Sequence, residues 1–531
     1  MNRPTIGSVM RGMCYGFAAL LFAASCANDN VIQDEKQNKD NIPAGATLFT
    51  GTSQPEVKVR TAILNHTKGA GASVNWSSTD KIWVKDDGGN WQQSTTTIIP
   101  SAVNPSFAKF ALSGTYTGAS HDILYTNMAV TGTQPQVEIK AEQTQSAPNN
   151  FDHAGESGDC GIATGNKAAN GYGFTLNHKA SYLCFIPRTS NEYVKRSKLI
   201  KIEIMSGDEI AGTYDIAANG SLTLASGGSK TITVTTGSGF DIDNSADDMS
   251  KNATYAVVAP GTHTFRIRYW LRNTTDNPYG PIQGTISKIV TLNCTAGSIH
   301  DITANLDPHD YDGDHYYMWD AQEQYWKGYE WNLGGSQPTT FTTTSNDYAK
   351  SNTDLRYYHE GGGPGRFDAT QSCATLPNAN EMSWYCMYGD PRWDGDELWT
   401  TMGHLYKSGM WFKKKSVLLT EGNYNTEKSA DGTTDLRTAY KYYDNTNSSI
   451  TGSGLPSAAD AGNYFYLPAL GYYSGYNSVG QLNTVGFNGY YWSSSAYPFV
   501  NNYPYNLDFY SGRVTVSTNP SNFGLRVGGF K

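Results

Sequence analysis

Lys198-Leu199-Ile200-Lys201-Ile202-Glu203-Ile204-Met205 is the stretch that decides the fold class. Ile200, Ile202 and Ile204 fall on one side of an extended chain, and Lys201 and Glu203 fall on the other. A period of two with one polar side is the pattern of an antiparallel strand with one face in water. The alternation recurs at Phe265, Ile267, Tyr269 and Leu271 against Arg266, Arg268 and Trp270. It recurs again at Ile232 and Val234 against Thr231, Thr233 and Thr235. Turn-forming clusters separate these runs: Ala218–Gly220, Ser226–Ser229 and Thr236–Gly239. Short alternating runs punctuated this way predict β-sandwiches.

Outward from that stretch, the β pattern extends from about residue 46 to about 307. That length suits two sandwiches better than one. The Gly/Asn-rich segment from Asn149 to Gly173 is the natural seam, which gives modules over 46–173 and 174–307. At Asp307–His315 the chain turns acidic, and Trp and Tyr then become dense. One helix is legible in this last part. Asn378 can cap it, Glu381 three residues on completes a capping box, and Gly389 can close it. Met382, Tyr385 and Cys386 would share its face. The predicted fold is therefore mainly β, with two antiparallel β-sandwich modules followed by an α+β domain over 308–531.

The N-terminal residues predict export. Arg3 and Arg11 are basic, no acidic residue precedes Asp29, and Tyr15–Ala24 is apolar but too short to span a bilayer. Small residues Ala23, Ala24 and Ser25 then lead into Cys26. This is a secretory signal over residues 1–25. With the cysteine at the cut it resembles a lipobox, whose cysteine is acylated. Cys26 is then a lipid anchor to the outer membrane. Several acyl chains at about 0.8 kcal/mol per buried CH₂ make such an anchor durable. The polar residues 26–45 read as a tether. The net charge of −9 argues against a nucleic-acid partner. The 16% of charged residues, 55 Gly and 36 Tyr suit turn-rich β structure on an outer surface.

Four groups of residues, in order, resemble the fimbrillin family, the subunits of lipoprotein-derived type V pili. They are Val74-Asn75-Trp76 with Thr79-Asp80-Lys81-Ile82-Trp83-Val84; Phe174 with His178-Lys179-Ala180 and Leu183; Tyr255-Ala256-Val257-Val258-Ala259-Pro260; and Ala296-Gly297 with Ile302-Thr303-Ala304-Asn305-Leu306. The resemblance implies partners among other pilus subunits, joined by β-strand addition. In such pilins an arginine early in the first module is cut and the first strand leaves. Arg60–Thr61, within Val57-Lys58-Val59-Arg60-Thr61-Ala62, stands at that place.

The C-terminal part resembles a module similar in fold to C-type lectins and formylglycine-generating enzymes. Tyr316–Asp320, Thr375-Leu376-Pro377, Tyr466-Leu467-Pro468-Ala469 with Gly471-Tyr472, Gly489–Ser494 and Gly524-Leu525-Arg526-Val527 carry that likeness. The enzyme branch relies on late reactive cysteines, and no cysteine follows Cys386. No G-x-S-x-G elbow, H-E-x-x-H pair or P-loop is present either. The expectation is a binding protein and not an enzyme.

Tyr, Trp, Asn and Asp crowd the late loops, which is glycan-binding chemistry: aromatic faces stack on sugar rings and amides bond hydroxyls. Trp492, Tyr497, Asn501, Asn502, Tyr503 and Asp508 are the candidate ligand contacts. Asp310, Asp312 and Asp314 around Gly313 are half of a calcium loop, and Ca²⁺ is the candidate ion. The twelfth position of such a loop is Ala321, which cannot ligate. Five cysteines remain beyond Cys14 and Cys26: Cys160, Cys184, Cys294, Cys373 and Cys386. Cys373 and Cys386 are the candidate disulfide, worth about 3 kcal/mol for a loop of that size. The alternative is that both are small buried side chains.

The whole reads as a lipid-anchored fimbrial subunit, tip-located, adhering to a surface glycan or protein through its last domain. The rivals are a glycan-capturing surface lipoprotein outside any pilus, and an enzyme of the formylglycine-generating type.

Overall fold

The computed structural model describes residues 42–52, 62–69, 71–101, 106–361 and 363–531. Cys26, the signal segment, most of the tether and the Arg60–Thr61 bond lie outside the described residues. No described helix is long and apolar enough to cross a membrane.

The described chain is mainly β. The first module is a nine-stranded sheet ordered Trp91–Gln93, Trp83–Lys85, Ser120–Tyr125, Gly161–Ala168, Gly171–Thr175, Thr47–Thr52, Phe107–Leu112 and Thr96–Ile98, with Asn177–His178 on the side of Gly161–Ala168. One aromatic core, including Phe49, Trp76, Phe110, Tyr172 and Phe174, fills it. The second module packs strands of a large sheet (Thr231–Asp241, Lys198–Met205, Gly261–Asn273, Ile282–Cys294) over two three-stranded sheets.

The seam at 173/174 is corrected. It falls inside the Gly171–Thr175 strand, which pairs with Thr47–Thr52 of the first module. Conversely, Gln136–Ile139 pairs with Ala211–Ile216, and Glu142–Thr144 pairs with Thr231–Asp241. Val137, Ile139, Phe151 and Ala154 are buried in the second core. The chain crosses to the second module and returns. Gly/Asn-rich composition marks where the backbone turns, not which core the flanking apolar side chains enter.

The opening stretch also needs correction. The pairing register of Lys198–Met205 shifts between Leu199 and Lys201. A β-bulge there inserts one residue and inverts the phase on its N-terminal side. Leu199, Ile202 and Ile204 are fully buried, and Ile200 is only half-buried.

Nor does the second sheet's outer face lie wholly in water. Arg266 and Arg268 are 2% and 8% exposed. The C-terminal region covers them: the Arg266 guanidinium donates to Pro456 O at 2.7 Å. Ile282–Cys294 pairs in parallel with Arg392–Thr401 through Thr285 and Glu397. The sheet then continues through His404–Lys413 and Tyr464–Pro468, across the expected 307/308 boundary. Gly284 permits this approach, since a Cβ there would lie 2.4 Å from Asp396 O.

An ion cluster closes the junction. The Arg268 guanidinium lies 3.3 Å from Glu203, 3.4 Å from Asp394 and 3.2 Å from Asp396. Glu397 accepts from Ser287 N at 3.1 Å, Ser287 Oγ at 2.7 Å and Thr285 Oγ1 at 3.1 Å. Burial, then the neighbouring Asp394, pushes the Glu397 carboxyl up to about 7. Its folded form therefore keeps a proton that the unfolded chain gives up near 4.5. This group's contribution to stability is full below that value and is lost as pH rises towards 7. Glu397→Gln is expected to flatten that part of the stability profile, as read from urea midpoints taken below and above the window.

The helix forms at Ala379–Tyr388. Asn378 Oδ1 accepts from Glu381 N at 3.0 Å, and Glu381 Oε2 accepts from Asn378 N at 2.9 Å. Gly389 N closes it on Tyr385 O at 3.1 Å. Met382, Tyr385 and Cys386 are buried together against Leu507, Val514 and Val516. Asn378→Ala is expected to cost about 1 kcal/mol in urea unfolding. Beside the helix stands a six-stranded sheet that includes Gly489–Ala496, Pro504–Tyr510 and Arg513–Thr518.

Candidate functional site

Thr47–Thr52 (TLFTGT) is an internal strand with partners on both sides. It pairs antiparallel with Phe107–Leu112 along all six residues, and in parallel with Gly171–Thr175 from Phe49 to Thr52. Phe49 and Gly51 point inward. The Phe49 ring is fully buried, stacked on Tyr172 at 4.7 Å and edge-on to Tyr116 at 5.1 Å. Opposite Gly51 lies the Phe174 ring, which a Cβ would meet at 2.6 Å. A segment filling this slot therefore needs a large apolar residue and, two positions on, a very small one. Outward, Thr52 Oγ1 donates to Phe174 O at 3.3 Å. Without this strand, strand edges of about 20 Å (Phe107–Leu112) and about 17 Å (Gly171–Thr175) and an open aromatic core would face each other.

The candidate ligand contacts divide into two sets. Trp492 is fully buried, and its indole N–H donates to Tyr317 O at 2.8 Å. It is a core residue, not a ligand contact. Asp508 accepts from Ser517 Oγ at 2.6 Å and Asn506 Nδ2 at 3.3 Å, and burial pushes its carboxyl up. It braces the Pro504–Tyr510 strand. Asn501 is largely buried, with Oδ1 unpaired. Asn502 and Tyr503 are exposed beside Phe499 and Val500, with Tyr497 half-buried edge-on to Phe499 at 5.4 Å. The accessible part of the expected site is thus the 497–503 loop.

A second place of similar chemistry had no motif to mark it. Asn352, Asp354, Tyr357, Tyr358, His359 and Glu360 help line a cavity of about 240 Å³. That is smaller than the roughly 300 Å³ of the lesser drug-sized pockets and is the scale of one ring.

The calcium half-loop does not assemble from the expected three carboxylates. Asp310 lies on a short strand and accepts from Thr400 Oγ1 at 2.6 Å. Asp312 and Asp314 instead gather around His315 Nδ1 at 2.6 and 2.5 Å, all exposed. The Arg526 guanidinium lies 3.7 Å from Asp312. The strand ends at Asp310, whose carboxylate is held by Thr400 of the paired strand, and the chain beyond it turns Asp312 and Asp314 to His315 instead, so the Asp-x-Asp-Gly-Asp spacing is not realised as a cage.

The Cys373–Cys386 disulfide is also corrected. Both are free, buried thiols in separate clusters. Cys373 Sγ accepts from Asp320 N at 3.3 Å, and Cys386 Sγ donates to Val514 O at 3.3 Å. Each has a local partner on a different element. Burial pushes Cys373 up to about 12 and Cys386 further still, so neither thiol is a ready nucleophile.

Fold and site together define a mainly β, multi-module protein with a two-sided N-terminal strand and an aromatic C-terminal surface. No protein-family model and no curated protein matches the chain. Among solved structures, it is similar to a candidate cell adhesion protein from Bacteroides uniformis ATCC 8492, at 14% identity and TM-score 0.29, covering 49% of this chain and 94% of that one. It is similar to the fimbrial anchor protein Mfa2 from Porphyromonas gingivalis, at 10% identity and TM-score 0.23, covering 49% and 90%. It is also similar to a fimbrial protein from Bacteroides ovatus ATCC 8483, at 11% identity and TM-score 0.23, covering 90% and 97%. Scores of this size do not establish a shared fold.

Proposed function

We propose that this chain is a fimbrillin-type surface adhesin. It is exported as a precursor anchored through Cys26. Cleavage at Arg60–Thr61 releases the N-terminal segment, and a strand from another subunit enters the vacated slot. Residues 308–531 meet a glycan or protein ligand, with the 497–503 loop as the contact surface.

The observation that carries this reading is the position of Thr47–Thr52. It lies upstream of Arg60 and forms the middle of a sheet, so the segment that cleavage removes is the one whose loss creates an acceptor groove. The ordered family residues add support. Trp76, Ile82 and Val84 are in the first core, and Leu183, Tyr255–Val258 and Ile302 are in the second. N-terminal sequencing of protein sheared from cells tests the reading. A start at Thr61 supports it, and a blocked or intact Cys26 start on assembled fibres opposes it.

A further inference from the structure

Three side chains distant in sequence meet beside the second core. His66 sits on Ala62–Thr67, Cys184 on Ser181–Arg188 and Asp301 on Ile299–Asn305. Their ligand atoms lie within 4.8 Å of one another. His66 Nε2 is 3.4 Å from Asp301 Oδ1, with the two side chains 1% and 15% exposed. Cys184 is fully buried.

The surrounding hydrogen bonds fix the imidazole. The Tyr255 hydroxyl donates to Asn149 Oδ1 at 2.5 Å, which uses its one proton. Its oxygen therefore accepts from His66 Nδ1–H at 3.1 Å. Nε2 then faces Asp301 Oδ1 at 3.4 Å, and the Cys184 thiol hydrogen-bonds the same carboxylate. A divalent cation among the three groups would take the place of the thiol proton. Gly69 N–H donates to Asp301 Oδ2 at 2.7 Å and holds that carboxylate in place. Ring N–H and carboxylate are thus both oriented from behind, as metal ligands usually are.

Sulfur, imidazole nitrogen and carboxylate oxygen form a set that selects zinc over calcium or magnesium. Zinc bonds of about 2.3 Å to sulfur and about 2.0 Å to nitrogen or oxygen put tetrahedral ligands about 3.5 Å apart, near the His66–Asp301 spacing. We propose that Cys184 Sγ, His66 Nε2 and Asp301 Oδ1 bind one Zn²⁺, with water in the fourth position. On binding, the Cys184 S–H bond breaks, its proton passes to solvent, and the sulfur electron pair bonds the metal without any change of oxidation state.

The metal has a structural use. The strands Ala62–Thr67 and Gly71–Asn75 pair only with each other among the described strands. The Lys68–Asp247 ion pair and the Gly69–Asp301 hydrogen bond tie this hairpin to the second module. A zinc ion would fasten the chain just beyond Thr61 while the residues before it depart. The site itself does not depend on that cleavage, so it is tested on the uncut chain.

The full-length chain, stripped with chelator, is titrated with Co²⁺ and with Zn²⁺ alone, then gel-filtered. Expected is one retained metal per chain and a thiolate-to-cobalt charge-transfer band that zinc abolishes. Cys184→Ser is expected to remove the band. His66→Gln, on the hairpin, is expected to weaken retention at least tenfold, the lower end of what losing even an outer-shell partner costs. If Cys184→Ser does not fold, His66→Gln decides, and unchanged retention there overturns the proposal. A folded wild-type chain that retains no metal also overturns it and leaves a polar contact between His66, Cys184 and Asp301. A band that survives in folded Cys184→Ser places the metal on another thiol and overturns it too.

Discussion

Phe49→Ala is expected to destabilise the uncut protein by about 3–5 kcal/mol, the usual cost of emptying a buried phenylalanine site. The ring is fully buried between Tyr172 and Tyr116, on the strand that completes the first sheet. Collapse cannot refill the space readily, because Phe110 and Tyr172 are held in register on either side. The effect should also be specific to the precursor. Phe49 lies upstream of Arg60, so the proposed cut at Arg60–Thr61 would remove it, and a chain so cut should unfold at the same urea midpoint with or without the substitution. Gly51→Val should act in the same direction, by collision with the Phe174 ring.

Arg268→Met is expected to cost about 3–5 kcal/mol as well, by a different mechanism. Removing one member of a buried ion cluster leaves the others uncompensated. Here Glu203 and Asp394 would lose their cation, with the Asp394 side chain only 1% exposed, while Asp396 keeps Lys407 at 3.5 Å. The junction between the second sandwich and the C-terminal strands should loosen, so calorimetry should resolve two transitions where the parent shows one. Adding Asp394→Asn should recover part of the loss, because the two sites share partners and their effects are not additive.

The β class was legible because alternation is a local property. Phe265, Ile267, Tyr269 and Leu271 all point into the second core. The helix was legible for the same reason: Asn378 and Glu381 stand three apart and satisfy each other's backbone. What long-range contact decides was not legible. Ile200 reads as inward until a bulge beside Leu199 inverts the phase. Arg268 reads as solvated until another module supplies Asp394. Trp492 and Asp508 read as ligand contacts by residue type, yet their polar atoms are consumed by Tyr317 and Ser517. The Cys373–Cys386 spacing suggests a bridge, but a helix carries Cys386 into a different cluster. Nothing in the sequence brings His66 to Cys184 and Asp301, since 118 and 117 residues separate each from the next.

The central claim is that Thr47–Thr52 is a replaceable strand. Its most direct measurement is the native mass of the purified chain before and after limited digestion with an arginine-specific protease. Strand replacement predicts loss of the residues through Arg60, a new first residue at Thr61, and conversion of monomer into stable multimers once a donor subunit is added. A chain that is cut after Arg60 yet keeps Thr47–Thr52 bound and stays monomeric with the donor present would contradict it.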